Sequence, residues 1–96
     1  DLRKKSKTFG KHFKIILSDK NGKSIFIPPG FLHGFLTLQK ENIVHYYNTN
    51  YRSPKHEIGV IWNDKTLKIK WSIKKPILSR KDKNNLEFEE LSKKLR

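Results

Sequence analysis

Cysteine is absent from this chain, so neither a disulfide framework nor thiolate chemistry is open to it. Long apolar runs are missing too: nothing approaches the roughly 18 consecutive apolar residues of a spanning helix, and no apolar leader segment opens the chain. Those absences make a soluble cytoplasmic protein the expectation. Acidic residues are scarce, 9 against 22 Lys and Arg, which leaves a formal net charge of +13. Such an excess favours anionic partners at long range. The lysines are nevertheless scattered from Lys4 to Lys94 with no arginine-rich block, the pattern of solvated faces and not of a nucleic-acid groove. We therefore expect no nucleic-acid partner and no membrane partner.

The 96 residues are enough for one small domain. A chain this short buries a modest share of its surface, so it must economise on core or borrow it from a partner. Its first residue is Asp1 and not Met, as expected of a processed or excerpted chain.

Turn chemistry divides the sequence into short apolar segments. Residues 1–10 read as a basic arm or entry strand ending in Phe9-Gly10. KHFKIILS, 11–18, is rich in β-branched and aromatic side chains and reads as a strand. Asn21-Gly22 supplies the tolerance of positive φ that a tight turn needs, and KSIFI continues as a strand until Pro28-Pro29-Gly30 breaks it. Strands follow over 31–38 and 43–49, a polar loop over 50–57, and strands over 58–62 and 67–71 around an Asn63-Asp64-Lys65 turn. Ser79, three residues before Asp82, resembles a helix cap with an acid in its first turn. Leu86, Phe88, Leu91 and Leu95 then predict one amphipathic helix to the end. This succession predicts an all-β sandwich or barrel.

Two side chains stand out chemically. His33 follows the Pro-Pro-Gly corner; alternation along a strand puts it on one face with Phe31 and Phe35, with Leu32 and Gly34 on the other. On the next strand, Tyr46 and Asn48 share a face, and His45 and Tyr47 the opposite one. If both strands face one cavity, His33 and Tyr46 form an imidazole–phenol pair suited to proton transfer. The plainer reading makes His33 a semi-buried turn residue and Tyr46 a packing residue, as Trp62 and Trp71 are expected to be. His12, His33, His45 and His56 have no ligand-pair spacing, so no metal site is expected.

The stretch Gly22 to His33, with Pro28 and Gly30 between them, resembles a signature of the cupin superfamily, although Thr37 stands where that signature commonly has Asn. A closer resemblance covers nearly all of residues 1–82. DLRKKSKTFGKH, IPPGFLHGF, YYNTNYRSPKHEIGVIW with Asn63-Asp64, and PILSRKD are similar, in order and spacing, to motifs of the dTDP-4-dehydrorhamnose 3,5-epimerase family. The resemblance implies a cupin-type double-stranded β-helix (jelly roll), incomplete in this chain, over residues 1–82, with a C-terminal helical tail over 83–96. It also implies epimerisation at C3 and C5 of a dTDP-linked 4-keto-6-deoxy sugar, in a homodimer or with a complementary N-terminal segment, without cofactor or metal. The family's tyrosine acid falls on Tyr46, its sugar-pocket histidine on His33, and the aspartate that orients its basic histidine on Asp82.

That basic histidine and the family's enolate-stabilising lysine lie upstream of the DLR motif, so no residue here is assigned to either role. The chain by itself is expected to be inactive. Tyr51 is kept, but Arg52 replaces the family's next aromatic residue. Three rivals remain: a non-catalytic nucleotide-sugar-binding or oligomerisation module, a metal-dependent cupin enzyme, and a small basic nucleic-acid binder.

Overall fold

The computed structural model describes residues 1–48 and 57–95. Among them, regular structure is confined to two short helices, α1 (Arg80–Lys83) and α2 (Phe88–Lys94). The expected strands do not pair into ladders: the β contact among the described residues is an isolated parallel bridge between Val60 and Leu86. The all-β expectation is therefore not confirmed among the described residues, and the reason is physical. β-Branched and aromatic composition suits a segment to a sheet, but a strand exists only when a neighbour in register accepts and donates its backbone hydrogen bonds. Here the apolar side chains of those segments are left in the open, with Phe13 at 76%, Phe26 at 80% and Ile43 at 98% exposure.

The same conclusion follows from total surface. A self-contained globule of 11.4 kDa would expose about 5,800 Å², whereas this chain exposes 9489 Å². Its radius of gyration, 14.3 Å, likewise exceeds the ~12.5 Å expected for a compact domain of this length. The excess surface, about 3,700 Å² on this one chain, is larger than one partner's share of most obligate interfaces.

What core there is sits at the C-terminal end. Phe88 and Leu91 of α2 are buried; Phe9 packs its ring 5.5 Å from that of Phe88, and Gly10 lies against the same ring. Asp64, also buried, ties the 64–67 turn to this helix. Its carboxylate accepts the backbone N–H groups of Phe88 at 2.7 Å, Leu67 at 2.9 Å and Thr66 at 3.0 Å. Glu87, the residue before α2, makes no side-chain cap bond, so Asp64 satisfies from a distant segment an orphan donor that the helix cannot satisfy itself. Acidic Glu89 and Glu90 in the first turn and basic Lys93 and Lys94 in the last complement the helix dipole.

The cap at Ser79 is present, with its hydroxyl accepting from the Asp82 N–H at 3.1 Å. The run that follows is broken into α1 and α2, and the C-terminal helix is short. Asn84 closes α1 by donating its backbone N–H to Lys81 and its side-chain amide to Arg80. Asn85 then packs beside Gly59, and the Leu86 carbonyl accepts from Ile61 N–H at 2.8 Å. Two asparagines, which favour caps and turns over helix interiors, split the run.

The turns fall where the sequence puts them. Gly22 has φ +60°, and the Asn21 side-chain oxygen accepts from the N–H groups of Ser18 and Lys23. Residues 1–10 form no entry strand; they coil into consecutive turns around the Asp1 carboxylate.

Candidate active site

The exposed apolar segments surround an open hollow of about 3180 Å³, and His33, Tyr46 and Asp82 all line it. Most of the chain lines it as well, so sharing its wall does not in itself give these side chains a role. All three residues are exposed.

His33 has the best-defined surroundings. The corner before it turns at Pro29-Gly30, where Gly30 has φ +91°, a left-handed angle that side chains resist. The Gly30 carbonyl accepts from Leu2 N–H at 2.9 Å, which pins the corner to the N-terminal turns. A Cβ added to Gly30 would come within 2.7 Å of the Arg3 Cγ, so glycine is required for space as well as for angle. The Arg3 guanidinium lies 4.7 Å from the centroid of the Phe31 ring. Beyond His33, Gly34 faces the Trp71 ring, whose indole N–H donates to the Trp62 carbonyl at 2.7 Å. Both tryptophans are half-buried and line the hollow. A small cavity of about 290 Å³, lined by Leu2, Gly30, Phe31, Leu32, His33 and Ile58, opens beside the imidazole.

On the segment carrying Tyr46, the His45 and Tyr47 rings stand 4.9 Å apart, so these two share a side as alternation predicts. Tyr46 is 72% exposed. Asp82 belongs to the first turn of α1, held there by the Ser79 cap. Its neighbour Lys81 pairs with Glu57, and both of those side chains also line the hollow. Among the described residues, the side chains of His33, Tyr46 and Asp82 make no hydrogen bond within the chain. A phenol, an imidazole and a carboxylate facing a hollow without internal partners are free to meet a polar ligand.

Tyr51, Arg52 and His56, with the rest of residues 49–56, lie outside the described residues. Among those described, no three His, Asp or Glu side chains gather as a metal site would require, and no helix is long and apolar enough to cross a membrane.

Two arrangements escaped the reading of the sequence. The first is Asp64, whose signal is the Asp-x-Thr spacing of a side chain that caps the N–H two residues on. The second is the Asp1 knot. This carboxylate, 2% exposed, accepts from the Arg3 backbone N–H and guanidinium and from the hydroxyls of Ser6 and Thr8. The Asp1 α-amino group donates to the Lys11 carbonyl at 3.1 Å.

Comparison with known proteins gives one consistent result. Residues 1–90 match the sequence profile of a family described as dTDP-4-dehydrorhamnose 3,5-epimerase. The chain is 42% identical over 88 residues to the dTDP-4-dehydrorhamnose 3,5-epimerase of Shigella flexneri, covering 92% of this chain and 49% of that protein. It is 42% identical over 87 residues to the enzyme of that name from Methanothermobacter thermautotrophicus, covering 88% of this chain and 47% of the relative. Against the Escherichia coli protein of the same name it is 39% identical over 92 residues, 95% of this chain and 50% of the relative. The chain thus spans about half the length of the curated relatives it matches. No solved structure matches it.

Proposed function

The chain belongs to the dTDP-4-dehydrorhamnose 3,5-epimerase family, and from that premise we propose that it forms part of the wall of a nucleotide-sugar epimerase site. The substrate is dTDP-4-dehydro-6-deoxy-D-glucose and the product dTDP-4-dehydro-L-rhamnose. The observation that carries this reading is the family match across residues 1–90. The open, largely apolar hollow, with an imidazole, a phenol and a carboxylate on its wall, fits it. Residues 1–82 contribute to a cupin-type jelly roll that closes only against further strands, 83–96 form its tail, and the assembly is a cytoplasmic homodimer.

The chemistry follows from the substrate. A 4-keto group acidifies the hydrogens at C3 and C5, and the enolate formed by removing one must meet a donor or positive charge already in place. Tyr46 returns the proton from the opposite face, as a phenol held against the developing carbanion. Asp82 accepts a hydrogen bond from the basic histidine and holds its tautomer, as carboxylates do in other histidine-base systems. His33 lines the sugar pocket. None of the 96 residues is assigned to the base or to the enolate donor, so these come from a complementary segment.

Proton NMR of the keto sugar in deuterated water tests the proposal. With the complementary segment present, exchange at C3 and C5 supports it. Binding of dTDP without exchange, in that complete assembly, favours the non-catalytic binding module, and failure of the assembly to bind dTDP rejects both.

A further inference from the structure

Arg3 is firmly held by a group that takes no part in the chemistry proposed above. Its Nε and Nη2 both donate to the Asp1 carboxylate at 3.0 Å, and its own backbone N–H joins them at 2.9 Å. Ser6 at 2.7 Å and Thr8 at 2.5 Å complete the shell around that carboxylate. A fork–fork pair of this kind fixes the plane of the guanidinium as well as its place. The fixed side chain then bears on the corner in two ways. Its stem occupies the space beside Gly30, where even a methyl group would approach its Cγ to 2.7 Å, and its charged end lies 4.7 Å from the Phe31 centroid. His33 follows two residues later, and Leu2, Gly30, Phe31 and His33 line one small cavity.

We propose that Arg3, locked by Asp1, is a positioning residue that braces the Gly30-Phe31 corner and thereby sets the direction of the His33 imidazole on the sugar-facing wall. The inference rests on the proposed function for the task of His33 and on this chain's own geometry for the brace. Lysine is a poor substitute: it keeps the charge and most of the stem but loses the paired hydrogen bonds and the planar face over Phe31. Asparagine at position 1 places an NH₂ group among donors and releases the guanidinium.

The test is the side-chain ¹⁵N and ¹³C spectrum of the histidines in the 96-residue chain at fixed pH, at a concentration where sedimentation shows it monomeric. R3A and D1N should each shift and broaden the His33 ring signals, and D1N/R3A together should do no more than R3A alone, because both act through one contact. G30A reaches the contact from the other side and should move the same signals. R3K should give a smaller shift in the same direction with the core intact. The His45 ring signals and the Leu91 methyls, which report on a separate segment and on the core, should stay in place throughout. Unmoved His33 signals in R3A and R3K overturn the proposal, as do His33, His45 and Leu91 moving together in R3K. Titrating dTDP into the unsubstituted protein, with its complementary segment, separates the two claims. No binding, with His33 displaced by R3A, sinks the functional reading and leaves the brace; binding, with His33 unmoved, sinks the brace alone.

Discussion

Replacing Asp64 by alanine removes one carboxylate and three hydrogen bonds at once. The side chain is buried and accepts from backbone N–H groups at 2.7, 2.9 and 3.0 Å, two in its own turn and one at the start of α2. Hydrogen bonds to a charged group contribute about 1.5–3 kcal/mol each and are not additive, and loss of a helix cap alone costs about 1 kcal/mol. A loss of about 3 kcal/mol is therefore expected, a large part of the ~5–15 kcal/mol that holds a typical domain together. It should fall on α2 and the 64–67 turn, because that is where the freed donors sit. Native-state hydrogen exchange reads it directly: the Phe88, Leu91 and Leu67 amides should exchange about a hundredfold faster, at about 1.4 kcal/mol per factor of ten. D64N, which retains one acceptor oxygen, should lie between the wild type and D64A. Exchange at those amides changed less than about threefold in D64A, the effect of an ordinary surface substitution, would refute the assignment of Asp64 as the clamp between turn and helix.

Other consequences follow from single contacts. S79A removes the acceptor of the Asp82 N–H and should cost about 1 kcal/mol, seen as loss of protection at the Asp82 amide with Leu91 unaffected. W71F deletes the donor to the Trp62 carbonyl and should lower stability by about 1 kcal/mol in urea denaturation, without shifting the α2 signals. The excess exposed surface predicts that the isolated chain self-associates as its concentration rises; sedimentation showing a stable monomer at high micromolar concentration would contradict that. In the proposed reaction Y46F should reduce solvent-deuterium exchange into the keto sugar by about 10²–10⁴-fold while leaving dTDP affinity within a few-fold, and an equal loss of both would argue against Tyr46 as the acid.

Features written in a few adjacent residues were legible in the sequence. Asn21-Gly22 turns because the backbone there takes positive φ, Gly30 turns for the same reason, and Ser79 caps because its hydroxyl reaches a donor three residues on. The family was legible because its motifs are short, ordered and cover nearly the whole chain. What was not legible depends on partners distant in sequence. KHFKIILS has the composition of a strand, yet composition cannot supply the neighbour whose carbonyls and amides would complete the ladder. The tail kept the apolar spacing of one helix through Leu86, Phe88 and Leu91, but Asn84 and Asn85 stop it, and Leu86 spends its carbonyl on Ile61. Asp64 and Phe88 lie 24 positions apart, and Asp1 shows its importance only when Arg3, Ser6 and Thr8 are seen converging on it. Among the candidate site residues, the motifs named His33, Tyr46 and Asp82; their shared access to one hollow came from the fold.

The central claim is that this hollow accepts a nucleotide sugar against His33, Tyr46 and Asp82. It is tested most directly by titrating dTDP-L-rhamnose into isotope-labelled protein, paired with its complementary segment, and following the His33 and Tyr46 ring signals with the Asp82 amide. The account predicts that all three move together and saturate with a single dissociation constant, while free rhamnose moves none of them. A titration that leaves the three unchanged, or shifts only signals outside the hollow, would contradict it.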